Sequence, residues 1–341
     1  MDKINLKKSP KKILIVKPSS LGDIVHSLPF LQALKDGFHD AEIHWIVAKG
    51  LEGLLENHPM VKKLLVIEKD RWKDLKKIKD TASELAGISK ELKRESYDMA
   101  IDLQGLLRSG LLAYATHAPV RIGFREAREG SAVFYTHKIT GGRDIHAVDR
   151  YLKIASALGC ETADAGFPMP LIKESDKVKR LKENAGDYAV IVPGARWETK
   201  KWSPEKFGRL ASMLDIKTMI IGSKSDMEIS KRIEAASKGK ALSTAGYTDI
   251  KELISIIRGA RYVVTNDSGP MHIAAALGIP VIAIFGPTNP ERTGPYGKKH
   301  IIISSDIPCA PCYKKKCKTM RCMEDISVEQ VYKEICGYCS S

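Results

Sequence analysis

Two short stretches, far apart in the chain, combine residue types that could handle a phosphorylated substrate. The first is Ser19-Ser20-Leu21-Gly22-Asp23, which follows the apolar run Lys12-Ile13-Leu14-Ile15-Val16-Lys17. Gly22 lets backbone approach a ligand, and Asp23 falls at or near a helix start, where the dipole favours negative charge. A carboxylate there has two readings. It is a favourable first-turn charge and nothing more, or it is a general base that accepts a proton from a substrate hydroxyl. Stabilised by the helix end, it would be a weak base in the ground state and would take the proton late, as the attacking oxygen gains positive character.

The second stretch is Asn266-Asp267-Ser268-Gly269-Pro270-Met271-His272. β-Branched residues 262–265 predict a strand before it, and small residues predict a helix over 271–277, with a second strand over 279–285. An N-cap candidate and a proline suited to the first helical turn mark the boundary. The free N–H groups of such a helix end suit a phosphate or diphosphate; a capped connection with no ligand is the plain alternative. Asp267 is the awkward member, because a carboxylate beside a diphosphate repels it. It is expected to cap its helix or to order the loop, near the sugar. His272 is within reach of a phosphate, whereas His26 reads as a structural histidine.

Other candidates lie between and beyond these turns. Arg196-Trp197-Glu198-Thr199-Lys200-Lys201-Trp202 places three cations and two tryptophans within seven residues, an anion clamp with an aromatic wall or a solvated basic loop. Asp102-Leu103-Gln104-Gly105 is another strand end with a glycine turn. Arg121, Arg125, Arg128, Arg143 and Arg150, with Arg71-Trp72-Lys73, make the first half rich in groups that recognise phosphates or carboxylates. Cys309, Cys312, Cys317 and Cys322 are dense enough for zinc or an iron–sulfur cluster, but their spacing fits neither a zinc ribbon nor a ferredoxin, and reduced thiols on a basic loop are the other reading.

Positioning these residues requires alternating strands and helices. Strands are expected over 12–17, 42–47, 61–67, 99–102 and 120–123, and helices over 24–35, 73–95, 106–115 and 145–158, with Pro29 kinking or shortening the first helix. Residues 159–173 hold Gly166, Pro168 and Pro170 with little periodicity and read as a linker. The pattern then restarts, with strands over 188–192, 218–221 and near 241 and helices over 204–214, 226–237 and 250–257. Two successive β/α runs predict an α/β chain of two Rossmann-like doubly wound domains, 1–165 and 166–341, with ligands in an interdomain cleft.

Bulk properties narrow the partners. A net charge of +14 asks for an acidic partner, while 6% aromatic residues and no aromatic RNA-binding signature argue against nucleic acid. No apolar run approaches the ~20 residues of a membrane-spanning helix. The basic N-terminus lacks a signal-peptide pattern, so a cytoplasmic protein is expected. Seven cysteines are too few and too bunched for a disulfide scaffold.

Taken together, Lys17-Pro18-Ser19-Ser20-Leu21-Gly22-Asp23-Ile24-Val25-His26-Ser27-Leu28-Pro29 resembles the opening of the bacterial ADP-heptose:lipopolysaccharide heptosyltransferases. Asp102-x-Gln104-Gly105-Leu106, Lys200-Lys201-Trp202, Asp267-Ser268-Gly269-Pro270-Met271-His272 and Phe285-Gly286-Pro287-Thr288 match further motifs of that family in order. Ala127-Arg128-Glu129 and residues 146–150 look more like the type that adds the first heptose, and residues 309–314 more like the type that adds the second.

The resemblance implies a GT-B fold, with the acceptor bound mainly by the first domain and the nucleotide sugar by the second. It implies inverting transfer of heptose from ADP-heptose to the Kdo/inner-core region of lipopolysaccharide at the inner face of the cytoplasmic membrane. Transfer of the second heptose, or a nucleotide-sugar epimerase on the same fold, are the alternatives. Asp23 matches the general base and Lys200 the lysine near the diphosphate. Arg196, Asp267, Ser268, Gly269, Pro270, Met271 and His272 fall on the donor side, and Ser19, Ser20, Gly22, Arg71, Lys73, Gln104 and Arg128 on the acceptor side. A Kdo-lipid A acceptor would bring carboxylates and phosphates to the arginine-rich half. A diphosphate leaves well once its charge is stabilised, so one carboxylate and a cationic pocket suffice. No cofactor is then required for catalysis; magnesium and a structural metal at the cysteines stay open.

Overall fold

The computed structural model describes residues 3–69, 78–142 and 144–340. The chain forms two compact units, Met1–Leu171 and Ile172–Ser341. Arg71, Trp72, Lys73 and Arg143 lie outside the described residues.

In the first unit, strands β1 (Lys12–Val16), β2 (Glu42–Ala48), β3 (Lys63–Ile67), β4 (Met99–Asp102), β5 (Val120–Phe124) and β6 (His137–Ile139) form one sheet in the order β3-β2-β1-β4-β5-β6. Every pairing is parallel. Strands of such a sheet are covered on both faces, which is why β1 and β4 read as continuous apolar runs rather than alternating ones. Helices α1 (Leu21–His26), α2 (Leu28–Gly37), α3 (Ile78–Arg94), α4 (Leu107–Ala115) and α5 (Ala147–Ala157) cover it. The single helix expected over 24–35 is two: α1 ends at Ser27, and Pro29 sits in the first turn of α2, where its missing N–H costs nothing. On one face Leu14, Val16, Ile46, Ile67, Leu92 and Ala100 pack together, with Ile88 against them.

The second unit repeats the plan. Strands β7 (Tyr188–Val192), β8 (Lys217–Ile220), β9 (Ala241–Ser243), β10 (Val263–Asn266), β11 (Val281–Phe285) and β12 (Ile301–Ser304) form a parallel sheet in the order β12-β11-β10-β7-β8-β9. Helices α6 (Asp176–Ala185), α7 (Pro204–Met213), α8 (Met227–Ala236), α9 (Ile250–Arg258), α10 (Gly269–Ala276), α11 (Pro290–Thr293), α12 (Arg321–Glu324) and α13 (Val328–Ser340) complete it. Trp202 and Phe207 meet edge to face at 4.9 Å in a core shared with Ile191, Val264, Ile284 and Ile326. Each sheet reverses its winding once, between β1 and β4 and between β7 and β10. The carboxyl ends beside those points are where open α/β sheets take ligands.

At the opposite end of the first sheet, Glu95 draws three strands together. Its carboxylate accepts hydrogen bonds from Lys63 at 2.7 Å and Lys12 at 2.9 Å, with His44 Nδ1 at 3.9 Å. Those bonds, Lys63 first, hold the Glu95 pKa down at about 2. A depressed carboxylate adds stability that is complete above its unfolded pKa and is lost as pH falls through the folded one. Between pH 5 and pH 2, wild type is therefore expected to lose unfolding temperature more steeply than Glu95→Gln. The difference is worth about 1 kcal/mol after solvent screening, or about 2–4 °C. Parallel thermal-unfolding curves for the two proteins over that range would overturn this role.

Candidate functional site

In the first unit the turn after β1 and the turn after β4 lie side by side. The Ser19 N–H donates to Gln104 Oε1 at 3.3 Å. Asp23 is the third residue of α1, and one of its oxygens, Oδ2, accepts from the Ser20 N–H at 2.8 Å and the Ser20 hydroxyl at 2.7 Å. The other oxygen, Oδ1, lies 3.9 Å from Lys17 Nζ, and the side chain is 39% exposed. Asp23 thus serves as a first-turn cap through one oxygen while its carboxylate stays open to solvent. Gly22 lies inside α1 and is buried, a correction to its expected place in the turn.

Lys17 directly follows the apolar strand β1 and is buried. Its ammonium donates to the Leu103 carbonyl at 3.2 Å and stands 5.0 Å from the Tyr151 ring centroid. Burial acts against its charge, but Asp23, Tyr151 and Asp102 outweigh burial, and the Lys17 pKa lies above its ordinary value. Lys17 thus places a cation under the turn, facing the Asp23 carboxylate. Sequence reading gave Lys17 no role; a lysine ending an apolar strand was the available signal.

Beneath Gln104 a second buried carboxylate shapes the turn. Asp102 accepts from the Gln104 N–H at 2.8 Å, the Gly105 N–H at 3.0 Å, the Ser109 hydroxyl at 2.7 Å and the Tyr135 hydroxyl at 2.6 Å. Burial pushes the Asp102 pKa up against the pull of those hydrogen bonds. Gly105 adopts φ +65°, a left-handed conformation that glycine takes without strain.

The expected arginine field is partly structural. Arg121 donates to the carbonyls of Phe134 and Ala118, and the Arg150 guanidinium lies 4.0 Å from the Phe124 ring centroid. Arg125 and Arg128 are exposed. His26 is buried and meets the His146 ring edge-on at 5.0 Å, the structural role expected of it.

In the second unit the loop after β7 folds back to the loop after β10. Asn266 stitches them, accepting from the Trp202 N–H at 3.1 Å and donating to the Pro193 carbonyl at 2.8 Å. Lys200 Nζ then reaches Asp267 Oδ2 at 2.6 Å, with side-chain exposures of 16% and 7%. Thr288 donates to the same oxygen at 2.6 Å, and Trp197 lies under Lys200, its ring centroid 4.6 Å from Nζ. Asp267 orders the loop and does not cap the helix. The capping position of α10 belongs to Ser268, whose side chain makes no cap hydrogen bond and instead meets Thr265 Oγ1 at 3.1 Å. Helix α10 opens with Gly269-Pro270-Met271-His272 directly after that Ser268 cap position, two residues beyond the Asp267 that holds Lys200. Such a helix end attracts anions. Arg196 is exposed on the same loop, and Met271 and His272 are buried. Thr288, read from sequence as part of a motif but given no role, lies in a glycine-proline turn distant in sequence from Asp267.

The cysteines follow β12. Cys309 and Cys317 are exposed, Cys312 half-buried and Cys322 buried. The Cys322 pKa is raised, by burial first and then by Cys312, Cys309 and Cys317. Backbone N–H groups of Met320 and Thr319 lower that of Cys317. Among the described residues, no group of three or more His, Cys, Asp or Glu side chains is placed to hold a metal. The backbone of the cysteine segment is tied to the site: the Cys312 and Tyr313 N–H groups donate to the Pro287 carbonyl, next to Thr288.

Two parallel sheets, each with side-chain chemistry at its winding reversal, define a doubly wound α/β architecture, and the sequence identifies the family. Residues 86–323 match glycosyltransferase family 9 (heptosyltransferase), and the chain belongs to that family. It is 32% identical over 332 residues to lipopolysaccharide heptosyltransferase 1 of Pseudomonas aeruginosa, covering 92% of this chain and 89% of that one. Its GT-B fold is shared with a family 9 glycosyltransferase from Veillonella parvula, at a TM-score of 0.81 and 24% identity, covering 97% and 98% of the two chains. E. coli heptosyltransferase WaaC with ADP superposes at a TM-score of 0.77 and 25% identity, covering 96% and 99%.

Proposed function

We propose that this protein transfers heptose, with inversion, from ADP-heptose to the Kdo/inner-core region of lipopolysaccharide as the first heptose added. The observation that carries the reading is the Lys200–Asp267 pair beside the start of α10. A cation and converging N–H groups in a partly dry site stabilise the charge that grows on a departing diphosphate. Arg196 and His272 join Lys200 around the ADP moiety, with Ser268 to Met271 forming the loop backbone.

On the first unit, Asp23 takes the proton of the attacking acceptor hydroxyl. Ser19, Ser20, Gln104 and Arg128 are assigned to the acceptor. In this reading protein groups carry the charge, and no step is assigned to magnesium or another cofactor. The similarity to a heptosyltransferase 1 favours the first-heptose step over the second. The acceptor is lipid-linked, which places the enzyme peripherally at the inner face of the cytoplasmic membrane; no helix among the described residues is long and apolar enough to cross one.

The test is turnover of ADP-heptose with Kdo-lipid A, with a monoheptosylated acceptor, and with no acceptor. Product only with Kdo-lipid A is the expected result. Preference for the monoheptosylated acceptor would move the enzyme one step later, and conversion of donor alone would make it an epimerase.

A further inference from the structure

Helix α4 has two apolar faces, and one of them looks outward. Leu112 and Ala113 are buried in the core, and Ser109 bonds to Asp102. Leu107, Leu111 and Tyr114, spaced i, i+4 and i+7 and so on one side of the helix, are 42%, 46% and 52% exposed. The short 3-10 helix Ser131–Phe134 packs alongside: a Cβ at Gly110 would lie 2.9 Å from Phe134, so only glycine admits this approach. Phe134 meets the Tyr114 ring at 5.7 Å, and the next residue back, Val133, is 74% exposed. Four large apolar side chains thus extend over adjoining elements into water, where scattered single ones would be unremarkable.

We propose that this ridge docks the protein on an anionic lipid bilayer. The chemistry around it selects that occupant. Arg108 is exposed between Leu107 and Leu111, and the Arg121 guanidinium lies 5.5 Å from the Tyr114 ring centroid, braced by two carbonyls. Glu129 is the carboxylate at the helix start, where its Oε2 accepts from the Leu107 N–H at 3.1 Å. A chain of net charge +14 is drawn to an acidic membrane face. At the interface, leucine and valine enter the acyl boundary, tyrosine sits at headgroup depth and arginine meets lipid phosphate.

The ridge begins three residues after Gln104, so docking brings the turn assigned to the acceptor up to the surface that carries a lipid-linked substrate. That purpose rests on the proposed function; the binding itself needs neither donor nor acceptor.

The experiment is flotation of the purified full chain with phosphatidylcholine vesicles, with and without phosphatidylglycerol. Wild type is expected to float only with the anionic vesicles and to be released by salt. Leu111→Asp and Val133→Asp are expected to weaken that binding by more than about ten-fold while keeping the wild-type unfolding temperature. Both variants should also turn over a delipidated acceptor like wild type. Arg108→Glu should weaken binding with no change in the neutral-vesicle result. Folded ridge variants that float like wild type would overturn the proposal. So would a soluble dimer that Leu111→Asp dissociates, which would assign the ridge to a second copy. Failure of transfer with normal flotation would instead count against the heptosyltransferase reading alone.

Discussion

Asp23→Asn is expected to lower transfer about 10²–10⁴-fold, the usual worth of a positioned general base, while ADP affinity stays at the wild-type level. The asparagine variant is the informative one because Asp23 does two jobs. Its Oδ2 atom accepts both Ser20 hydrogen bonds, and losing such a cap costs about 0.5–2 kcal/mol. Alanine removes cap and base together, so a slow Asp23→Ala enzyme could reflect a frayed α1. Asparagine keeps an acceptor oxygen for Ser20 but cannot take a proton. The two functions also pull in opposite directions. Two hydrogen bonds and the Lys17 ammonium at 3.9 Å stabilise the carboxylate and weaken it as a base. That suits a reaction in which the hydroxyl becomes acidic only as its oxygen bonds to the anomeric carbon. Asp23→Asn with near-normal turnover and an intact unfolding temperature would leave Asp23 as a cap and nothing more.

The fold was legible where a single physical signal dominated. Short apolar runs ending in turn residues, such as Met99–Asp102 and Val281–Phe285, read as strands, and both are buried throughout. Helix α6 escaped the sequence because charged residues fill most of it and Val178 is its buried residue, which leaves few apolar positions to mark a core-facing side. Strands β6 and β12 sit at sheet edges, and β6 is three residues long, below the length at which periodicity speaks.

The site divides along the same line. Turn residues after apolar runs announced Ser19 to Asp23 and Asp267 to His272, because strand ends and helix starts are encoded locally. The partners Lys17, Asp102 and Thr288 act through space, and nothing in their own neighbourhood states whom they meet. Asp267 shows the limit well. Local pattern offered capping or loop ordering as equals, and only the fold of the 196–202 loop onto it decides for Lys200.

The Lys200–Asp267 pair should separate stability from catalysis. Lys200→Ala is expected to reduce kcat about 10²–10³-fold, the range for losing one preorganised donor to a developing negative charge. It also strands a carboxylate that is 7% exposed and, among the described residues, keeps the Thr288 hydroxyl as its partner. Leaving such a group unsatisfied costs about 1–3 kcal/mol, so the unfolding temperature should drop as well. Asp267→Asn in the same chain removes the stranded charge. The double variant is therefore expected to regain most of the lost stability and none of the lost kcat, since the asparagine relieves the fold but supplies no cation to the diphosphate. Asp267→Asn alone keeps the ammonium at the start of α10 with a weaker tether, so it should lose less kcat than Lys200→Ala. Recovery of activity in the double variant would show that Lys200 serves only to hold Asp267, and the leaving group would then depend on Arg196 and the α10 N–H groups.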